Sequence, residues 1–204
     1  MGEPFFGERA LLMAIVGEGG ARSAGEAIRG GADLVQVRAK HLSSRNLIEL
    51  VRQVVLEIGS AERVVVNSRP DIAALTGAWG VHLPESGLDA PSVRAAFPQL
   101  RVGVSRHDRQ GLDRSVAEGA DYALLGPVFE TPGKEARVMG VAAFGDAVRR
   151  LPLPVFAVGG INLERLGTLL AAGASGAAAI RPFAFEATTR EEARRWRLAL
   201  DVRQ

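Results

Sequence analysis

Short apolar runs recur along this chain at intervals of roughly twenty to thirty residues, and the segments between them carry apolar positions spaced by three and four. The runs predict eight β-strands: Leu11–Val16, Leu34–Arg38, Val64–Asn67, Gly80–Leu83, Arg101–Ser105, Tyr122–Leu125, Val155–Val158 and Gly176–Ile180. Each is nearly continuously apolar, the pattern of a strand covered on both faces, as in a parallel sheet flanked by helices. The segments between them predict eight helices: Ser23–Arg29, Ser44–Ile58, Pro70–Thr76, Ala90–Phe97, Gln110–Glu118, Val141–Arg150, Leu163–Ala172 and Arg190–Asp201. Ser44–Ile58 is the clearest, with Leu47, Ile48, Val51, Val54, Val55 and Ile58 on one face behind a serine cap. Gly31-Ala32-Asp33, Asp121 and Gly173-Ala174-Ser175 mark points where a helix ends at glycine and a strand begins.

Eight strand-helix units in 204 residues predict an α/β fold of one domain over residues 1–204, a (β/α)8 TIM barrel. An open doubly wound sheet is the rival. Its glycine fingerprint after the first strand is missing, because Val16-Gly17-Glu18-Gly19-Gly20 has the wrong spacing.

Composition narrows the function classes. Apolar residues make up 47% and charged residues 24%, so a disordered chain does not fit. The 25 Lys and Arg against 23 Asp and Glu leave a net charge of only +2, with no basic run, so nucleic acid is not an expected partner and anions must be recognised locally. Cysteine is absent, which excludes disulfides, thiolate metal sites and a cysteine nucleophile. With no signal-peptide pattern and no apolar stretch near the roughly 18 residues of a membrane helix, the expected place is the cytoplasm, with no membrane partner.

In a barrel, the loops after the strands carry the active site, and those after strands seven and eight commonly bind phosphate. Strand seven runs into Val158-Gly159-Gly160-Ile161-Asn162, where two glycines let an anion approach the backbone; a tight turn without ligand is the other reading. Strand eight runs into Ile180-Arg181-Pro182, whose guanidinium suits an oxyanion or, equally, a surface carboxylate. At the end of strand two, Gln36, Arg38 and Lys40 alternate to one side, and two cations there call for an anion unless the strand end is simply solvated. Asn67, Ser105 and Lys134 add donors to the same mouth.

This ordered set resembles the thiamine phosphate synthase/TenI family across most of the chain. The resemblance rests on Val35-Gln36-Val37-Arg38-Ala39-Lys40, Val66-Asn67-Ser68-Arg69-Pro70-Asp71, Gly80-Val81-His82-Leu83, Gly103-Val104-Ser105, Ala120-Asp121-Tyr122, Gly126 to Thr131, Lys134 and Ala157-Val158-Gly159-Gly160-Ile161. It implies that Gln36, Arg38, Lys40, Asn67, Ser105 and Lys134 meet the diphosphate of an aminopyrimidine, that Gly159, Gly160, Ile180 and Arg181 surround a thiazole phosphate, and that Thr131 joins the substrate site. The synthase of the family joins these two substrates with loss of pyrophosphate, through a pyrimidine carbocation and with magnesium.

Two departures shape the expectation. Ser68 and Gly87 stand where the synthase carries magnesium-binding aspartates, and neither can replace that charge unless Glu85 or Asp71 is redirected. The chain therefore leans toward the TenI branch, which tautomerises a thiazole phosphate by proton transfer, with no cofactor. The TenI histidine aligns with Pro127, which leaves His107 as the first candidate proton carrier, equally readable as an exposed residue at a helix start, and His82 as the second, more readily read as a satisfied, half-buried histidine at a strand end. The alternatives are thiamine phosphate synthase itself, with Mg²⁺, and a barrel that binds a phosphorylated ligand without catalysis. The expected partner is a small phosphorylated heterocycle; homodimer formation stays open.

Overall fold

The computed structural model describes residues 9–131 and 138–202, so Lys134 lies outside the described residues. Eight strands, β1 (Leu11–Val16), β2 (Leu34–Val37), β3 (Val64–Asn67), β4 (Gly80–Leu83), β5 (Arg101–Arg106), β6 (Tyr122–Leu125), β7 (Val155–Val158) and β8 (Gly176–Ala179), form a closed parallel barrel in sequence order. Closure comes from β8 pairing with β1, Gly176 beside Leu11. Around it lie α1 (Ala21–Arg29), α2 (Ser44–Ile58), α3 (Pro70–Thr76), α4 (Ala90–Ala96), α5 (Arg109–Ala117), α6 (Gly140–Val148), α7 (Leu166–Ala171) and α8 (Glu186–Asp201). The architecture is the expected (β/α)8 barrel.

The strands read as continuous apolar runs because each side of them faces a core. Leu11, Met13 and Ile15 of β1 point inward, where they meet Leu34, Val65, Tyr122, Leu124, Phe156 and Ala178. Leu12, Ala14 and Val16 belong to the outer core, which holds Leu47, Val51 and Val54 of α2 and Ala193, Trp196 and Leu200 of α8. Several element boundaries differ from the sequence pattern by one to four residues, and two of the differences have a visible cause. Helix α8 begins at Glu186 rather than Arg190, because the hydroxyls of Thr188 and Thr189 donate back to the Phe185 carbonyl and the first turn carries little apolar signal. Strand β8 stops at Ala179, because Ile180 already has helical angles (φ −104°, ψ −57°) and Pro182 enters a 3₁₀ turn.

The residues between helix and strand close the N-terminal end of the barrel. Asp33, just before β2, accepts the Leu12 N–H at 2.7 Å; Asp121, just before β6, accepts that of Val102 at 2.7 Å; Ser175, before β8, accepts that of Val155 at 3.2 Å. Each thus satisfies a backbone donor at the start of the preceding strand. Arginines neutralise both carboxylates: Arg197 of α8 donates to Asp33 at 2.9 Å and also to the Ala10 carbonyl at 2.8 Å, while Arg94 and Arg101 hold Asp121 at 2.6 and 3.0 Å. The opposite end is left for the loops.

Candidate functional site

At the C-terminal ends of the strands lies a cavity of about 320 Å³. Strand β2 and its continuation send Gln36, Arg38 and Lys40 into it, β3 sends Asn67, β4 His82 and β5 Ser105. His107, Thr131, Gly159 and Ile180 also line it. Ten of the residues singled out in the sequence therefore share one wall, and the period of two along β2 does place its polar groups on the inner side. The sequence reading missed the apolar half of the lining, which includes Ile15, Pro84, Leu124, Phe129 and Val158. Strand register was the available signal, since Ile15 pairs with Gln36 and Leu124 with Ser105, and paired residues share a face.

The charge in this cavity is one-sided. Arg38 is half-buried and Lys40 exposed, and neither side chain has a hydrogen bond or ion pair to any described residue. Arg106, by contrast, is committed to the fold: its guanidinium donates to the Gly111 and Ser105 carbonyls at 3.1 and 2.8 Å and faces Glu118 at 3.4 Å. Among the uncharged groups, the Gln36 amide nitrogen lies 3.6 Å from the Met13 sulfur, and the Asn67 side chain donates to Ser68 Oγ at 2.7 Å.

The two candidate histidines occupy different environments. His82 is fully buried instead of half-buried, with Nε2 2.8 Å from Ser105 Oγ and Nδ1 3.3 Å from the Tyr122 hydroxyl. Burial, then the charges of Arg38 and Arg106, push its pKa down to about 3. A neutral ring with both nitrogens engaged braces Ser105, which corrects the expectation of His82 as a proton carrier. His107 sits at the rim: its Nδ1–H donates to the Gly126 carbonyl, Nε2 lies 3.5 Å from Glu85 Oε2, and 57% of its side chain is exposed.

The turn after β7 is shaped by backbone packing and opens on the cavity at Gly159. Gly159 and Gly160 have φ of +94° and +64°, and a Cβ at Gly160 would stand 2.4 Å from the Glu130 carbonyl oxygen. The loop after β6 lies against this turn, with the Phe129 N–H donating to the Gly159 carbonyl at 3.1 Å. Gly159 reaches the cavity, but Gly160 is pressed onto Phe129 and Glu130 and does not line it. Arg181 does not line it either. It opens the exposed 3₁₀ turn that Pro182 imposes, so only Ile180 of that pair faces the mouth. Arg165 was missed entirely: it donates to the Gly160 carbonyl and lays its guanidinium 4.4 Å over the Phe129 ring. No motif in the sequence marks it.

The magnesium implied by the family resemblance does not fit the described residues. Asp71 is held at both oxygens by the Arg69 guanidinium, at 2.9 and 2.5 Å, which draws its pKa down. Glu85 faces His107, and the described residues contain no group of three or more acidic or histidine side chains able to hold a metal ion. Nor is any described helix long and apolar enough to cross a membrane.

Comparison with known proteins agrees with this geometry. The chain is 40% identical to the putative thiamine-phosphate synthase of Geobacter sulfurreducens over 172 residues, 82% of this chain and 81% of that one. It is 36% identical to the thiamine-phosphate synthase of Anaeromyxobacter dehalogenans over 173 residues, 83% of this chain and 78% of that one. A solved thiamine phosphate pyrophosphorylase from Pyrococcus furiosus superposes with a TM-score of 0.83 at 28% identity, covering 94% of this chain and 96% of the other. A family model described as thiamine monophosphate synthase matches residues 13–183, and the chain belongs to that family.

Proposed function

We propose that this chain is a thiamine-phosphate synthase, joining an aminopyrimidine diphosphate to a thiazole phosphate and releasing pyrophosphate. The observation that carries this reading is the pair Arg38 and Lys40, unneutralised by any described residue, beside Gln36, Asn67 and Ser105 in one cavity. The names of the relatives described above favour it over the tautomerase to which Ser68 and Gly87 pointed in the sequence, and Pro127, in place of that branch's histidine, already stood against the tautomerase.

In this reaction the bond between the pyrimidine methylene carbon and the diphosphate oxygen breaks, the oxygen keeps the electron pair, and the thiazole nitrogen lone pair forms the new carbon–nitrogen bond. Arg38 and Lys40 meet the charge that gathers on the leaving group. Ile15, Leu124, Phe129 and Val158 keep water from the carbocation. No resident cofactor enters this reading, and the cysteine-free composition suits a cytoplasmic enzyme.

The test is incubation of the protein with both substrates, with and without Mg²⁺, followed by separation of the products. Thiamine phosphate and pyrophosphate in equal amounts are expected; folded protein that binds both substrates and yields neither product overturns the proposal. A second reading is favoured by Ser68 and Gly87 and by His107 at the rim: metal-independent proton transfer on the thiazole phosphate alone. It requires turnover of that single substrate, slowed in His107→Ala with little change in KM.

A further inference from the structure

From below the cavity up to its wall, three polar side chains stand in line within the barrel, Tyr122 beneath and His82 and Ser105 at the lining. Tyr122, the first residue of β6, is fully buried, its ring 5.6 Å from that of Phe156 and 6.2 Å from that of Trp79. Gly103 on β5 makes room for it: an ideal Cβ there would stand 2.0 Å from Tyr122 Cζ. The Tyr122 hydroxyl reaches 3.3 Å from His82 Nδ1, and His82 Nε2 is 2.8 Å from Ser105 Oγ, which lines the cavity.

The direction of the protons along this line follows from the chemistry of its members. The His82 ring is neutral, so one nitrogen carries the proton and the other a lone pair. Tyr122 keeps its own proton, since burial and the Asp121 charge both raise its pKa, and a phenol donates far better than it accepts. The lone pair of His82 therefore belongs on Nδ1 and the proton on Nε2, which donates to Ser105 Oγ. With that oxygen accepting from the imidazole, the Ser105 proton turns away from His82 and toward the cavity.

We propose that the Tyr122 hydroxyl sets the Nε2–H tautomer of His82 and thereby makes Ser105 a hydrogen-bond donor to the ligand, selecting one that places an oxyanion or an unprotonated ring nitrogen at that point. Tyr122 and His82 are positioning residues; Ser105 is the group that touches the ligand. The ligand half of this inference rests on the function proposed above, while the tautomer half stands without it.

The experiment has two arms. In protein labelled with ¹⁵N-histidine, long-range proton–nitrogen correlation distinguishes the tautomers, and the sequence holds only three histidines to assign. His82 is expected to be neutral and protonated at Nε2 at pH 7; a proton on Nδ1, or a charged ring, overturns the proposal whether or not any variant folds. In the second arm Tyr122→Phe keeps the ring and removes the donor. A mixed tautomer and about tenfold weaker binding of inorganic pyrophosphate and of the aminopyrimidine diphosphate are expected, the loss of one directed hydrogen bond. Ser105→Ala should show the same loss and leave Tyr122→Phe without further effect on binding. An unchanged tautomer, or a changed tautomer with unchanged affinity, overturns the proposal. If the parent protein binds neither probe, the proposed function and the ligand half of this inference fall together, and the tautomer half is judged by the first arm alone.

Discussion

Arg38→Met separates a binding cation from a structural one, because the substitution keeps an unbranched apolar stem and removes only the guanidinium. The Arg38 guanidinium contributes no ion pair or hydrogen bond to the described fold, yet it shares a cavity with Lys40 and its charge depresses the pKa of His82. Two effects of different sign follow. A guanidinium bonded to a phosphate oxygen contributes about 1.5–3 kcal/mol, so affinity for pyrophosphate should fall about 10- to 150-fold in the variant. Stability without ligand should stay level or rise by a few tenths of a kcal/mol, about the size of one relieved repulsion in a solvated setting. Calorimetric titration at two salt concentrations and urea unfolding of the free protein measure both. The parent's affinity should drop more steeply with salt than the variant's, since one charge fewer is screened. A variant that binds pyrophosphate as tightly as the parent but has lost more than about 1 kcal/mol of stability would refute the reasoning and place Arg38 in the scaffold.

Asp33→Ala removes the acceptor of the Leu12 N–H and of Arg197, whose side chain is only 10% exposed. About 3–5 kcal/mol of unfolding free energy should be lost in urea with pyrophosphate affinity intact, and a loss below about 1 kcal/mol would contradict that role. Acid should act through His82. Its pKa of about 3 in the fold against the ordinary 6.5 means that between those values the unfolded chain binds a proton the native state refuses. Stability contributed by the neutral ring is therefore whole above about pH 6.5 and falls by up to about 1.4 kcal/mol per unit as pH drops toward 3. Urea midpoints of His82→Gln should follow a flatter pH profile, and superimposable profiles would dismiss the linkage.

What the sequence made legible was whatever depends on one strand at a time. Leu11–Val16 and Tyr122–Leu125 read as strands because both of their faces are buried, and Gln36, Arg38 and Lys40 read as one side because side chains alternate. Misplacements occurred where a second segment decides the outcome. Gly160 has a binding motif's composition, but its positive φ serves the close approach of Phe129 and Glu130. Arg181 left the mouth because the strand stops at Ala179, one residue before its expected end, and the chain turns at Ile180. The depth of His82 is invisible in Gly80-Val81-His82-Leu83, since it depends on Tyr122 and Ser105 from two other strands. Arg165 acts through the aromatic ring and the carbonyl it meets, neither of which lies within a motif.

The two ends of the barrel argue that the cations at the mouth are there for a ligand. The arginines at the N-terminal end meet carboxylates: Arg197 meets Asp33, and Arg94 and Arg101 meet Asp121, each carboxylate also taking a backbone N–H. If Arg38 and Lys40 were there only to keep a strand end solvated, nothing would require them to line the same concave wall as Gln36, Asn67 and Ser105. Arg38 and Lys40 thus bring two cations to a concave wall on which no carboxylate of the described residues stands, whatever the near-zero charge of the whole chain. Beneath these cations lies a layer held neutral by burial, in which His82 cannot take up a second proton and compete with the ligand for Ser105. Charge draws the anion in and the neutral layer orients it, so substitutions at Arg38 should change salt dependence while substitutions at Tyr122 should not.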